Sequence, residues 1–439
     1  MISGDTIVAQ ATPFGYSGTA LIRISGPSSA DILTKLTGIG VFPPRVSTYS
    51  KIKSKDNNTI DEALVVLYPA PASYTGENVV EISPHGNPSI ITDIIETICS
   101  FGARLAEPGE FTRRAFINGK MDLIQVEGVA SLISAKSKEA ARAQQRIIDG
   151  GLSKKLAKIK RGVISVLSVV ENEIDISEEL TQKQTFKKII NELKKTKNSV
   201  KDLLGSYKLG NLLFNGASVV ITGKPNVGKS TLFNCLARGD RSIVNKTPGT
   251  TRNLIEVELI IDGAPIRFID TAGLRDSNNP VEKEGVRRTK KSIENADLIL
   301  QVFDNETDRP KLLQTQKSLT IFNKVDLRKK TKAKNGVIHI SARTGAGVSG
   351  LLESIKKELG ISKLSTDNTY LSTLRQKVAL LSCVDSLNRA LEIALEHNPD
   401  LTTLSYEVSE ALRSVDVILG KTTADEILNE IFSSFCVGK

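Results

Sequence analysis

Cysteine and histidine are scarce in this 439-residue chain, and neither is clustered. The four cysteines, Cys99, Cys235, Cys383 and Cys436, lie far apart with no Cys-x-x-Cys pair, which excludes a disulfide framework and a cysteine zinc site. Three scattered histidines offer no metal site of familiar ligand spacing. No apolar run reaches the roughly 18 residues that a membrane-spanning helix needs. The start, Met1-Ile2-Ser3-Gly4-Asp5, has neither the basic nor the apolar region of a signal peptide. A cytoplasmic protein with reduced thiols and no membrane association is expected. No internal repeat or low-complexity tract breaks the sequence.

What is present is the composition of an ordinary globular protein, 40% hydrophobic and 25% charged. The length allows roughly three domains. Net charge is +10, and the basic excess sits in the middle: 17 basic against 11 acidic residues over 121–215, and 25 against 16 over 216–361. A basic middle suits an anionic partner such as nucleotide or RNA, because neutralised phosphates release counterions. Lysine-rich helices such as 187–201 fit solvated faces equally well.

The pattern divides the chain. Residues 1–120 read as a mixed α/β unit, with strand-like runs at Thr6–Ala9, Ala20–Ile24, Ala63–Leu67 and Val79–Ile82 and a helical pattern from Ile90 to Ile98. Helical spacing dominates at Leu152, Leu156, Ile159, Val163, Leu167 and Val170, and again from Ile189 to Leu204. It returns after residue 370, at Leu374, Val378, Leu381 and Leu387 and later at Val408, Leu412, Val415 and Leu419. Strands and helices alternate in between. The expected fold is multi-domain, α+β and α/β: an N-terminal α/β domain over 1–120, a helical domain split between 121–214 and 362–439, and an inserted α/β domain over 215–361.

The inserted segment carries the chemistry. The apolar run Ala217–Thr222 leads directly into Gly223-Lys224-Pro225-Asn226-Val227-Gly228-Lys229-Ser230-Thr231 and then a helical run, the strand, loop and helix context that a P-loop requires. Glycines let backbone N–H groups turn onto phosphates, Lys229 supplies a positive charge, and the Ser230 hydroxyl is placed to ligate Mg²⁺. Asn323-Lys324-Val325-Asp326 follows the apolar run Leu319–Phe322. A carboxylate at Asp326 can accept from the N1–H and 2-amino groups of guanine, whereas adenine would leave the pocket's polar groups unpaired. Ser341-Ala342-Arg343 reads as the loop behind the base. Asp270-Thr271-Ala272-Gly273 ends another strand, placing Asp270 for Mg²⁺ through water and the Gly273 amide for the γ-phosphate. Thr247-Pro248-Gly249-Thr250-Thr251-Arg252 is the candidate switch I. Leu274 follows Gly273 where Ras-like GTPases commonly carry the glutamine that orients water, so hydrolysis needs other help.

Together these motifs resemble the bacterial Era/TrmE-type GTPases. The ends of the chain narrow the resemblance. Asp5 to Pro13, Pro108-Gly109-Glu110-Phe111-Thr112-Arg113-Arg114-Ala115-Phe116 with Asn118-Gly119-Lys120, and Ile431 to Lys439 are similar to the MnmE (TrmE) family of tRNA modification GTPases over essentially the whole chain. The resemblance implies an N-terminal folate-binding and dimerising domain, a homodimer, and work with the flavoprotein MnmG in a heterotetramer. It further implies modification at carbon 5 of a tRNA wobble uridine, by an aminomethyl or carboxymethylaminomethyl group, with a tetrahydrofolate derivative as one-carbon donor. By position it implies GTP contacts at residues 226–231, at Asn245, Lys246, Thr247, Pro248, Gly249, Thr250 and Thr251, at 270–273, at Asn323, Lys324 and Asp326, and at 341–343. Mg²⁺ falls to Ser230 and Thr251. K⁺ falls to Asn226, Asn245, Thr247 and Thr250, and water orientation to Glu282, whose charge alone would read as a solvated helix residue.

The same resemblance assigns the folate pocket to Arg23, Glu81, Lys120 and Lys439, of which Arg23 and Glu81 read equally as an ordinary ion pair. Cys436 is a candidate reactive thiol, with a small packed thiol as the alternative. Three positions depart from the family pattern: Asn253 for the usual Asp, Phe14 for a second Pro, and Asn87 for a Gly. The competing expectation is an Era-type, GTP-controlled RNA-binding assembly factor, against which stands the helical stretch ending in Cys-x-Gly-Lys.

Overall fold

The computed structural model describes residues 4–175, 182–237, 242–243, 255–270, 292–309, 317–328, 336–365, 368–422 and 425–438. The chain divides into two compact units, Met1–Ala130 with Ile148–Ser153 and Leu412–Lys439, and Ser131–Ile147 with Lys154–Ala411. Among the described residues no helix is long and apolar enough to cross a membrane.

The first unit is built on six strands: β1 (Thr6–Gln10), β2 (Ile22–Ser25), β3 (Thr48–Lys53), β4 (Thr59–Tyr68), β5 (Val79–Ser83) and β6 (Ala103–Leu105). They lie in the order β3-β4-β5-β2-β1-β6, antiparallel except for the β1–β6 pair. Ile22 and Ile24 of β2 face the same side as Val80 and Ile82 of β5. With Ile32, Leu33, Ile94 and Ile98 they form a buried core, each contributing about 1.5–3 kcal/mol. The helix Pro88–Ser100 starts where the Asn87 side chain accepts from Ser89 N at 2.9 Å, with a proline in the first turn. A glycine could not cap in that way, so the Asn87 departure has a local structural use.

The segment from Pro108 to Phe116 folds as the helix Glu110–Ile117, entered through Gly109 at φ 70°. A Cβ on Gly109 would stand 2.5 Å from the Phe432 carbonyl oxygen, so the C-terminal helix Asp425–Ser433 presses on bare backbone there. Phe116 and Phe432 meet with ring centroids 6.4 Å apart. Arg114, 1% exposed, donates to Asp5 Oδ1, Glu110 Oε1 and Glu77 Oε2 at 2.8, 3.0 and 3.2 Å. Arg104 adds a second cation against Asp5 and Glu110. Burial works against ionised Glu110, but hydrogen bonds from Arg104, the Glu107 amide and Arg114 hold its carboxyl below its ordinary value.

The second unit pairs helices with a seven-stranded sheet: β7 (Ala217–Thr222), β8 (Ser242–Ile243), β9 (Ile255–Ile261), β10 (Ala264–Asp270), β11 (Leu298–Phe303), β12 (Ser318–Phe322) and β13 (Val337–His339). Their order is β13-β12-β11-β7-β10-β9-β8. Strands β13, β12, β11, β7 and β10 are parallel, and β9 runs antiparallel to β10 and β8. Every residue of β11 is buried, the near-continuous apolar run of a parallel strand covered on both faces. The helices Gly151–Asp175 and Gln182–Gly205 approach where Gly162 leaves room for Thr196, whose Oγ1 would lie 2.6 Å from a Cβ. The helix Leu374–Ala394 packs along Gln182–Gly205.

Candidate functional site

Strand β7 lies between β10 and β11, so the loop after it leaves the carboxyl edge of a parallel sheet, where open α/β sheets bind ligands. Backbone crowding there demands glycine. A Cβ on Gly223 (φ 150°) would lie 2.1 Å from the Val302 oxygen, and one on Gly228 (φ 95°) 2.3 Å from Asn323 Nδ2. Lys229 opens the helix Lys229–Ala237, and its Nζ donates to the carbonyls of Gly223 and Lys224 at 2.8 and 2.9 Å. Burial lowers the Lys229 pKa, opposed by the charge of Asp270. Asp270, 3% exposed, ends β10 in register with Ile221 of β7. Ser230 and Thr231 stand exposed in the first turn, at the positive end of the helix dipole. An exposed hydroxyl, a strand-end carboxylate, a buried ammonium and a loop with no room for a Cβ fit a nucleotide's phosphates and their Mg²⁺.

The base pocket is tied to that loop. Asn323, 2% exposed, donates through Nδ2 to the Val227 oxygen and accepts through Oδ1 from the Ala342 amide, both at 2.9 Å. One side-chain amide thereby joins three segments, the first 96 residues from Asn323 and the last 19. Lys324 Nζ donates to the Asn226 oxygen at 2.7 Å and to Asp304 Oδ2 at 2.6 Å. Asp326 accepts from Ser341 Oγ at 2.6 Å and from Arg343 at 2.8 Å. The Ser341 hydrogen bond leads the causes that hold the Asp326 carboxyl below its ordinary value, so it is anionic at neutral pH. Each carboxylate oxygen keeps lone pairs beyond these bonds, and the Arg343 side chain, 72% exposed, is free to yield to an incoming base.

In the first unit, Arg23 of β2 and Glu81 of β5 stand opposite each other in register. Arg23 Nε and Nη2 both donate to Glu81 Oε1, at 3.0 and 2.7 Å, and Nη1 donates to the Gly438 carbonyl at 3.3 Å. The guanidinium lies 5.5 Å from the Tyr74 ring centre and 5.8 Å from that of Phe111. Lys120 Nζ donates to the Pro71 oxygen at 3.0 Å, on the same segment that carries Tyr74. Two cations, a carboxylate and two aromatic faces suit a pterin ring with an anionic tail. Cys436 is exposed, whereas burial pushes the Cys383 thiol up to about 12.

Residues 123–436 match the family described as the MnmE helical domain, and residues 6–120 that described as GTP-binding protein TrmE N-terminus. A protein of Aquifex aeolicus named tRNA modification GTPase MnmE is 37% identical over 448 residues, covering 99% of this chain and 100% of its own length. Its namesake from Thermotoga maritima is 38% identical over 453 residues, covering 99% and 100%. The chain belongs to the MnmE (TrmE) family of tRNA modification GTPases. A crystal structure of an Aquifex aeolicus Era variant bound to GDP and AlF4⁻ aligns with 28% identity over 39% of this chain and 66% of its own, at a TM-score of 0.26; the family assignment stands without it.

For this MnmE-family chain, direct hydrogen bonds link Asn226, Val227, Asn323, Lys324, Asp326, Ser341, Ala342 and Arg343, and charge couples Lys229 to Asp270. Asn245, Lys246, Thr247, Pro248, Gly249, Thr250, Thr251, Asn253, Thr271, Ala272, Gly273, Glu282 and Lys439 lie outside the described residues. Phe14 is 78% exposed. Reading the sequence passed over Tyr74 and Asp304, the partner of Lys324, and gave Phe111 no role beyond its motif, although the Tyr74 and Phe111 rings both lie beside Arg23. Asp304 had a signal: it is a carboxylate directly after a strand that is apolar but for Gln301, as Asp270 closes β10.

Proposed function

We propose that this chain is a K⁺-dependent GTPase, activated when two of its nucleotide-binding domains pair, whose hydrolysis drives modification of the wobble uridine of certain tRNAs. The observation that carries the nucleotide part is the Asn323 amide, which holds the phosphate loop at Val227 and the base loop at Ala342 together. Asp326, ionised beside Ser341, selects guanine through its N1–H and 2-amino donors. Lys229 and the first turn of its helix take the phosphates.

When bound, Mg²⁺ (on Ser230 and Thr251) and K⁺ (on Asn226, Asn245, Thr247 and Thr250) supply positive charge to the phosphates, as an arginine finger does elsewhere. Glu282 orients the attacking water in place of the glutamine that Leu274 replaces. The tRNA part rests on the names of the full-length relatives. Arg23, Glu81, Lys120 and Lys439 hold a tetrahydrofolate derivative, which supplies a one-carbon unit, and the flavoprotein MnmG is the partner. The full-length relatives and the helical-domain match over residues 123–436 support this reading over the Era-type one.

Turnover measured in KCl and in NaCl tests the cation: equal rates sink it. Glu282→Ala is expected to abolish turnover with GTP binding intact. Mass spectrometry of wobble nucleosides from cells lacking the protein tests the tRNA role, and unchanged nucleosides overturn it.

A further inference from the structure

We propose that Asp304 is a positioning residue of the nucleotide site: it fixes Lys324, and through Lys324 the Asn226 peptide of the phosphate loop. The inference rests on the GTP and K⁺ reading above and adds to it a residue outside every motif. Two of the five described non-glycine residues with positive φ are Asn226 (64°) and Lys324 (63°), a conformation uncommon for residues with a Cβ, more so for a lysine than for an asparagine. These two residues are joined to each other, by the hydrogen bond from Lys324 Nζ to the Asn226 oxygen at 2.7 Å.

A lysine ammonium on a four-carbon stem has many rotamers. The Asp304 carboxylate, 2.6 Å away, selects the one that reaches Asn226. Asp304 is itself held, since its carbonyl accepts from Arg328 Nη2 at 2.6 Å and the Arg328 guanidinium lies 5.0 Å from the Phe322 ring centre. The chain Arg328, Asp304, Lys324, Asn226 thus runs from the edge of the base pocket to the phosphate loop. Because the Asn226 backbone directs its side chain, Asp304 sets the aim of a proposed K⁺ ligand that it does not touch. A partly exposed ion pair with no such task contributes little, and its loss would leave ligand affinities unchanged.

The test uses the full-length protein with Asp304→Asn, the charge-keeping Asp304→Glu, and Asp262→Asn, which removes a different ion pair, with Lys356 at 2.9 Å. Three quantities are read: affinity for a fluorescent GDP, the KCl concentration giving half-maximal GTP turnover, and the thermal midpoint. Asp304→Asn is expected to weaken GDP about tenfold, near 1.4 kcal/mol, and to raise the half-maximal KCl concentration, with the thermal midpoint unchanged. Asp304→Glu recovers most of both, and Asp262→Asn matches wild type. Wild-type affinity and KCl response in Asp304→Asn overturn the proposal. So does a loss of affinity that follows a lowered thermal midpoint. If wild-type turnover ignores KCl, the K⁺ reading fails separately, and the GDP affinity alone decides Asp304.

Discussion

Arg114 in the first unit and Asn323 in the second are both buried polar side chains, and their surroundings differ in kind. Arg114 is enclosed by the carboxylates of Asp5, Glu77 and Glu110, charge against charge. Asn323 binds only backbone, one carbonyl and one amide, and leaves neighbouring side chains such as Ser230 and Thr231 facing solvent. Polar groups that satisfy each other build framework. Polar groups that satisfy loop backbone, with functional atoms left outward, shape a pocket for a ligand. The MnmE-type motifs contain both kinds: the Pro-Gly-Glu-Phe-Thr-Arg-Arg segment is framework, and the P-loop with Asn-Lys-x-Asp is pocket.

The sharpest way to break that contrast is to remove the buried cation. Arg114→Met leaves three carboxylates without their shared partner and is expected to destabilise the protein by about 3–5 kcal/mol, seen as a lowered thermal midpoint. The same network predicts a pH dependence. Glu110 is held below its ordinary 4.5, so its contribution is fully present above that value and is lost as pH falls through the depressed pKa. Glu110→Gln should flatten the acid limb of a stability profile; an unchanged limb would show that other carboxylates govern it.

Gly228→Ala comes next and acts on the pocket. A methyl 2.3 Å from Asn323 Nδ2, at φ 95°, must push the phosphate loop off its anchor. GTP affinity is expected to fall roughly 100-fold, near 2.7 kcal/mol, with a circular dichroism spectrum like that of wild type. Wild-type affinity would mean that the Asn323 bridge can shift without cost.

The smallest effect belongs to Lys229. Burial depresses its pKa in the free protein, whereas a bound phosphate favours the charged form. GTP binding should therefore take up protons as pH rises toward that depressed value, and affinity should fall beyond it by at most about tenfold per pH unit. Titration calorimetry at alkaline pH in two buffers of different ionisation enthalpy reads the uptake directly; identical observed heats in the two buffers would mean that no proton is taken up.

Legibility in the sequence followed the same divide. The strands β1, β5, β7 and β12 and the long helices could be read because their apolar period is local. Strand β3, at the sheet edge with Lys51 and Lys53 outward, gave only a weak alternation, and three-residue β6 gave none. The helix Ser29–Thr37, with its strong apolar stripe at Ile32, Leu33 and Leu36, was legible and passed over.

The sequence by itself determined the pocket's chemistry. A P-loop and an Asn-Lys-x-Asp motif are short segments whose glycines, lysine, hydroxyl and carboxylate act on a ligand from within a few residues of each other. Only the tertiary structure decided which residues hold those segments in place. The Asn323 reach to Val227, the Asp304 pairing with Lys324, the Asp5 pairing with Arg114 and the reach of Arg23 to Gly438 join positions from 20 to 415 residues apart. The long-range pairs among them depend on strand order and register, which no local period encodes.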